Sequence, residues 1–155
     1  MKVYSGFTLI ETIIYIALLG LIMTGAVAAS YQILQGSSNL SNKATVQDEG
    51  SFVLRKVGWA LSGASAIPTP SGSTLTVSRY DGNTIDFRLN GTAIEMRESV
   101  TGLYEPITTP NVRVESLQFQ IGVTNPKSVT VIATIKTANG TDAALPFTLT
   151  RYLRK

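Results

Sequence analysis

The sequence predicts an α+β fold in which one long N-terminal helix precedes an antiparallel β-sheet. No proline occurs before Pro68, and apolar residues keep a helical spacing over most of that length. Beyond a linker at residues 68–73, apolar residues alternate with polar ones, which is typical of strands with one buried face. Asp81-Gly82, Asn90-Gly91 and Asn139-Gly140 fall between these strands and favour tight hairpin turns.

Residues 7–30 are the most apolar part of the helix and are predicted to span a membrane. From Phe7 to Ala29 the only ionisable side chains are those of Glu11 and Tyr15. A helix of this length is roughly 34 Å long, which is enough to cross a bilayer. A carboxylate costs about 2.5–3.5 kcal/mol at the bilayer centre and less near the interface. The presence of Glu11 in this segment therefore requires an explanation.

The charges around this segment predict its orientation. Lys2 and the initiating amine precede it, whereas the next basic residue is Lys43. The positive-inside rule places residues 1–6, the leader, in the cytoplasm and everything after Ala29 across the membrane. An ordinary secretion signal is the alternative, because residues 26–30 contain a small-x-small pattern that suits a signal peptidase. The apolar run is longer than the core of such a signal, so membrane insertion is favoured.

Residues 31–67 form the amphipathic half of the predicted helix. Charged residues of both signs lie opposite an apolar stripe and suit a solvated face. Gly36 begins the weakest point, because Gly costs roughly 1 kcal/mol relative to Ala in a helix. The sequence allows either a kink or a melted turn over residues 36–39. The apolar stripe consists of Val46, Val53, Val57, Ala60, Ala64 and Ile67.

Residues 74–155 are predicted to form the antiparallel sheet domain. One face of the sheet is apolar and must be covered, and the amphipathic half of the helix offers a matching stripe. The apolar half has no partner in its own chain, so it needs lipid or the equivalent helices of other subunits. The alternating apolar positions include Leu75, Val77, Ile85, Phe87, Leu89, Ile94, Met96, Leu117, Phe119, Ile121, Val129, Val131, Ile135, Leu145, Phe147 and Leu149.

The composition argues against catalysis and metal binding. The chain has no Cys and no His, which rules out the usual zinc sites, thiol nucleophiles and His-based triads. Asp81 and Asn83 with Asp86 could offer oxygen ligands to Ca²⁺, but the spacing lacks the ligand series of a calcium loop. Asp86 and Glu95 fall on the polar faces of their strands and, with Glu98, are interpreted as surface charge. The sequence predicts no enzyme activity, no cofactor and no metal.

The charge distribution also bears on the partners. The net charge is +3, and basic residues occur singly along the chain, apart from Arg55-Lys56 and a tail of Arg151, Arg154 and Lys155. A nucleic-acid surface would require Lys and Arg gathered on one face. Nucleic acid is therefore not an expected partner.

Residues 6–11 read Gly-Phe-Thr-Leu-Ile-Glu, behind a short basic leader and ahead of an apolar run. This order closely resembles the prepilin signal of bacterial type IV pilins and type II secretion pseudopilins. The resemblance implies a pilin-like fold, with the apolar half of the helix exposed and the amphipathic half packed on the sheet. It also implies cleavage between Gly6 and Phe7 by prepilin peptidase on the cytoplasmic side, followed by N-methylation of the Phe7 amine.

The resemblance further implies a role for Glu11. In related filaments this carboxylate is thought to meet the Phe7 amine of a neighbouring subunit. Breaking a buried ion pair costs about 3–5 kcal/mol, so a charge that is costly in the lone subunit would be compensated on assembly and would set the axial register. The alternative is a contact between Glu11 and the amine of its own chain, one helical turn away.

Departures from the family pattern favour a minor subunit or a pseudopilin. Many major pilins carry a proline midway along the apolar segment, where this chain has Gly20 and Gly25. Many also close a C-terminal loop with a disulfide, which a chain without Cys does not form. Residues 114–121 are similar to a late strand of J-type minor pseudopilins and related minor pilins.

The resemblance therefore implies a structural subunit, a minor one, of a type IV pilus or type II secretion pseudopilus. It would insert in the cytoplasmic membrane as a single-pass prepilin, with its C-terminal domain outside the cytoplasm, and then join the filament. The implied partners are prepilin peptidase, other pilin or pseudopilin subunits, an inner-membrane platform protein and, indirectly, an assembly ATPase. The alternative is a binding module on the same scaffold, either an adhesin or a tip domain that captures DNA or secretion cargo.

Overall fold

The computed structural model describes residue 6, residues 8–66, residue 70 and residues 72–122, 126–139 and 143–153. The chain divides into two compact units, Met1–Ser41 (the first unit) and Asn42–Lys155 (the second unit). One long N-terminal helix is followed by antiparallel strands. The α+β, pilin-like class predicted from the sequence is thereby confirmed.

Helix α1 comprises Leu9–Ser62. The prediction extended it to residue 67, and the structure corrects that end. The Gly63 N–H donates to the Ala60 carbonyl at 3.3 Å, which closes the last turn, and Ala64–Ala66 then pair with another strand. Ile67 lies outside the described residues, and residues 36–39 are helical, so of the two alternatives a melted turn is excluded.

The strands form two sheets instead of the single sheet that was predicted. The first sheet contains β1 (Ala64–Ala66), β2 (Thr74–Arg79), β3 (Thr84–Asn90), β4 (Ala93–Glu98) and β5 (Glu105–Pro106), in chain order and antiparallel. The second contains β6 (Val112–Gly122), β7 (Ser128–Thr137) and β8 (Leu145–Tyr152), also antiparallel. The strands divide into two sheets because β6 pairs with β7 and not with a strand of the first sheet.

The sheets are joined by packing and by a few backbone hydrogen bonds. The Val114 N–H of β6 donates to the Thr92 carbonyl at 2.9 Å, and the Phe119 N–H donates to the Gly72 carbonyl at 3.1 Å. Strand β6 also contacts β2, β3 and β4. The two sheets thus share one core within the second unit.

That core confirms most of the apolar stripe read from the sequence. Val46, Val53, Val57 and Ala60 of α1 are buried, together with Leu61. Ala64 is buried as well, although it lies on β1 and not on the helix. The sheets contribute Leu75, Val77, Ile85, Phe87, Ile94, Val112, Val114, Leu117, Phe119, Val129, Val131, Ala133 and Ile135 to the same cluster.

Two helical glycines let β8 approach α1 closely. A methyl group at Gly50 would overlap the ring of Phe147, and one at Gly58 would lie 3.3 Å from the Leu149 side chain. Both glycines are buried. They were not singled out in the sequence, where an isolated Gly in a helix indicates only a weak position.

We expect Gly50→Ala to destabilise the second unit in spite of the better helix propensity of Ala. Overpacking against Phe147 costs about 1–3 kcal/mol, whereas Ala gains up to about 1 kcal/mol over Gly in a helix. Urea unfolding, followed by circular dichroism, measures the change in the free energy of unfolding. The same substitution in a Phe147→Leu background should cost less, because the smaller side chain leaves room for the methyl group. An equal cost in both backgrounds contradicts this explanation.

Candidate functional site

The part of α1 that lies in the first unit begins with a long, exposed apolar surface. Part of α1 near the N-terminus is long and apolar enough to cross a membrane, and none of its most apolar window is buried. The large apolar side chains there are all more than half exposed: Leu9, Ile10, Ile13, Ile14, Ile16, Leu18, Leu19, Leu21, Ile22, Met23 and Val27. Such a surface requires lipid or other apolar helices around it. This feature fits membrane anchoring.

Thr8 caps the start of α1. Its Oγ1 accepts from the backbone N–H of Glu11 at 3.3 Å, and its carbonyl accepts from the backbone N–H of Thr12 at 3.2 Å. A Thr in this position satisfies one of the donors that a helix leaves unpaired at its N-terminus. The Thr of the Gly-Phe-Thr-Leu-Ile-Glu stretch therefore has a structural role within its own helix. Phe7 lies outside the described residues.

The Glu11 carboxylate has a hydrogen-bond partner in its own helix. The hydroxyl of Tyr15 donates to Glu11 Oε1 at 3.0 Å. The two ionisable side chains of the apolar segment thus bond to each other, one helical turn apart. This bond was not predicted from the sequence, although the spacing of four places both residues on one helix face.

Gly6, which precedes the expected cleavage site, is exposed. A Cβ built at Gly6 would meet nothing within 4 Å. Packing against the described residues therefore gives no reason for glycine at this position.

The polar face of the first sheet differs from the solvated surface that was predicted. Asp86 is only 6% exposed. Its carboxylate forms an ion pair with Arg97, whose Nε donates to Oδ2 at 2.9 Å, and Thr76 Oγ1 donates to Oδ1 at 2.5 Å. The bond to Asp86 raises the pKa of Arg97 above its ordinary value. Interpreting Asp86 as surface charge was wrong, because alternation along β3 does not reveal the Arg opposite it on β4.

Glu95 is engaged on the same face. It accepts from Asn90 Nδ2 at 2.8 Å and from Arg88, whose Nη2 lies 2.7 Å from Oε2. The Tyr104 ring lies beside the guanidinium groups of Arg88 and Arg97, with centroid distances of 3.6 and 4.6 Å. These carboxylates are partners of arginines and not a pair of acids facing each other, so the geometry offers no acid–base dyad here.

The stability of the second unit should fall in acid partly because of Glu95. The bonds from Asn90 and Arg88 hold the pKa of the Glu95 carboxyl below its ordinary value of 4.5. A carboxyl whose pKa is lower in the folded state than in the unfolded state stabilises the fold at pH values above the unfolded-state pKa. This contribution is lost as the pH falls through the folded-state pKa. Melting temperatures measured between about pH 6 and pH 3 should therefore drop less in Glu95→Gln than in the wild type. If the melting temperatures of the two proteins fall equally steeply with decreasing pH, this role of Glu95 is excluded.

The hairpin that was considered for Ca²⁺ uses its Asp in the turn. The backbone N–H of Asn83 donates to Asp81 Oδ1 at 2.9 Å and lowers the pKa of the Asp81 carboxyl. Gly82 has φ of +82°, as this tight turn requires. Within the described part of the chain, no group of three or more acidic side chains is placed to hold a metal ion.

The comparisons with known proteins concern the N-terminal segment. Residues 1–27 match the family model described as the prokaryotic N-terminal methylation motif. Neither the curated proteins nor the solved structures gave a match to this chain. The first 27 residues therefore carry a prepilin-type methylation motif, and together with the long apolar helix they are consistent with a type IV pilin or pseudopilin.

Proposed function

We propose that this chain is a minor structural subunit of a type IV pilus or a type II secretion pseudopilus. The observation that carries the proposal is the pairing of a methylation motif with an exposed apolar helix, ahead of a unit that has its own core. The apolar helix enters the cytoplasmic membrane first and later the centre of the filament. The second unit then lies outside the cytoplasm, on the filament surface or at its tip. The chain itself catalyses no reaction.

Prepilin peptidase is the first partner in this scheme. It cleaves the Gly6–Phe7 bond and releases the leader, residues 1–6, and the Phe7 amine is then methylated. The exposed position of Gly6 is compatible with access by a protease. Because a Cβ at Gly6 would clash with none of the described residues, we assign the need for glycine to the pocket of the peptidase.

Glu11 sets the register between subunits in this proposal. A carboxylate accepts at two oxygens, so the bond from Tyr15 to Oε1 leaves Oε2 able to accept from the Phe7 amine of a neighbouring subunit. In the apolar centre of a filament, water screens such a pair only slightly. Other pilin subunits, an inner-membrane platform protein and, indirectly, an assembly ATPase complete the expected partners.

Mass spectrometry of the mature N-terminus tests this function. The chain is produced in a bacterium that carries prepilin peptidase, and the membrane fraction is analysed. We expect a chain that begins at Phe7 with one added methyl group. Gly6→Val should keep the leader, whereas Gly36→Val, a matched change at an exposed helical glycine, should be processed normally. An intact Met1 on the wild type, or a start at Ala29, contradicts the proposal.

A further inference from the structure

Strand β8 has an open edge on the side away from β7. Among the described residues β8 pairs with β7 alone, so its other side has no neighbouring strand. An unpaired strand edge exposes a row of N–H and C=O groups to which another extended chain can bond. Strands β1 and β5, at the edges of the first sheet, have three and two residues, whereas β8 has eight. We call this side of β8 the open edge.

Two contacts show which residues of β8 point to the open edge. The Leu153 N–H donates to the Lys127 carbonyl at 2.8 Å, on the side of β7. The hydroxyls of Thr150 and Thr130 lie 2.9 Å apart, as expected for a pair that shares no backbone hydrogen bonds and whose side chains therefore come closest. Because the backbone groups of a strand point to alternate sides, the odd-numbered residues bond to β7 and the even-numbered ones point to the open edge.

The position of Pro146 agrees with this assignment. Pro146 is even-numbered, and a strand tolerates a proline where the missing N–H faces no neighbouring strand. Proline and charged side chains are the usual features that keep an edge from pairing. Beyond Pro146 the even-numbered residues are Thr148, Thr150 and Tyr152, which are exposed and carry no charge. Residues 147–152 therefore offer an edge that is not blocked by any residue that the structure describes.

A groove of about 330 Å³ lies beside β8, under α1. Gly58 of α1 lies over β8, and a Cβ there would be 3.3 Å from the Leu149 side chain. Val57 faces the core, whereas Trp59 is 45% exposed, so the groove opens away from the core. A strand added at the open edge would direct alternate side chains into this groove. The groove is lined by Leu54, Arg55, Gly58, Trp59, Ser62, Leu149 and Arg151.

The charge of the groove comes mainly from Arg151. Arg151 and Arg55 are both exposed, and within the described part of the chain neither forms an ion pair. Arg55 also lines a second groove together with Asp48 and Glu49, so part of its charge is balanced there. No acidic residue lines the first groove among the residues described. A carboxylate on an added strand would therefore have Arg151 as its partner.

We propose that the open edge of β8 binds an extended, acidic segment of another protein as an additional antiparallel strand. The backbone of this segment bonds to the N–H and C=O groups of Thr148, Thr150 and Tyr152. On the face toward α1, an apolar side chain packs on Leu149, and a neighbouring Asp or Glu pairs with Arg151. In this mode of recognition the backbone bonds supply affinity, and pockets for alternate side chains select the sequence. The binding concerns the second unit alone and requires neither cleavage nor assembly.

A synthetic peptide with the sequence Thr-Asp-Thr-Val-Thr-Asp-Thr and blocked ends tests this proposal. In an extended chain its Asp and Val side chains share one face and its Thr side chains the other. The full-length protein in a nonionic detergent is titrated with the peptide, and the emission of Trp59, the only Trp in the chain, is recorded. Lys56 Nζ and Arg79 Cζ lie 5.7 and 4.9 Å from the centroid of this ring, and neither residue lines the groove. We expect a saturable change in the emission as the peptide enters the groove.

Two control peptides separate strand pairing from attraction between charges. N-methylation of the Thr amides removes the donors that face β8 in an antiparallel pair, so it should weaken binding by roughly tenfold or more. Replacement of both Asp by Lys keeps the backbone and reverses the charge. This peptide should also bind more weakly, and its difference from the Asp peptide should shrink as salt screens the charges.

Variants of β8 test the same contacts from the side of the protein. Thr150→Pro removes one N–H from the open edge and leaves the bonds to β7 in place, because this residue points outward. Thr150→Val is the matched control, since it loses the same contact with the Thr130 hydroxyl but keeps its N–H. We expect Thr150→Pro to weaken binding roughly tenfold and Thr150→Val to bind like the wild type. Arg151→Gln should weaken binding several-fold at low salt, whereas Arg113→Gln, an exposed change on β6, should not.

Four results would overturn the proposal. Unchanged Trp emission at saturating peptide is the first, and equal binding of the N-methylated peptide, which needs no change in the protein, is the second. Equal affinities of Thr150→Pro and Thr150→Val would show that the peptide does not pair with the open edge. Equal affinity for the Lys peptide at low salt would exclude an acidic partner. Thermal melts confirm that each variant is folded.

Discussion

A chain that begins at Asn42 should be a monomer that stays in solution without detergent, whereas the full-length chain should require detergent or lipid. Among the described residues, the buried hydrophobic ones all lie in the second unit, from Val46 to Ile135. The described apolar side chains of the first unit are exposed. Its removal takes away the surface that drives association and leaves the core complete.

Sedimentation and light scattering of the two proteins measure this difference. We expect the truncated chain to be monodisperse at its monomer mass and to unfold cooperatively on heating, because its core is intact. The full-length chain without detergent should sediment as aggregates or remain with membranes. A full-length chain that is monomeric in plain buffer would contradict both the membrane anchor and the filament role. A truncated chain that aggregates or lacks a cooperative transition would show that the second unit depends on the first.

The parts of the fold that the sequence predicted are those in which one face of an element is buried. Val46, Val53 and Val57 follow a helical period because one side of α1 lies on the core. Ile85 and Phe87 alternate with polar residues because one side of β3 faces the same core. In both cases, burial of one face of the element determines the spacing of its apolar residues along the sequence.

The parts that were missed depend on which elements pair. Ala64–Ala66 is too short to show a period, and it becomes a strand because β2 is available as its partner. The division into two sheets likewise follows from β6 pairing with β7. Neither choice leaves a local pattern in the sequence.

Side chains brought together across elements were missed for the same reason. Asp86 looks solvated along β3, but Arg97 stands opposite it on β4 and the pair is largely buried. Lys56 and Arg79 both lie against the ring of Trp59, and Arg151 of β8 lines a groove with it, although Arg79 and Arg151 are far from it in the sequence. The bond between Glu11 and Tyr15 is different, because a spacing of four in a predicted helix was sufficient to expect it.

Glu11→Gln should prevent the chain from entering filaments while leaving it in the membrane. The substitution keeps the shape of the side chain and removes its charge, so in the proposed pairing the amine of the neighbouring subunit loses its partner in an apolar environment. Loss of one member of a buried ion pair costs about 3–5 kcal/mol, which corresponds to a decrease of about 100-fold or more in incorporation. The amount of the chain in sheared filaments, relative to the amount in the membrane fraction, measures incorporation.

Two further variants show whether the charge of Glu11 is responsible. Tyr15→Phe removes the hydrogen bond to Oε1 but keeps the carboxylate, so incorporation should fall much less than in Glu11→Gln. Glu98→Gln neutralises an exposed carboxylate of the second unit and should leave incorporation unchanged. The mature N-terminus of each variant is checked first, because an uncleaved leader would block assembly by itself. Wild-type incorporation of a cleaved Glu11→Gln chain would mean that the carboxylate does not set the register, and an equal loss in Tyr15→Phe would shift the requirement from charge to the geometry of this helical turn.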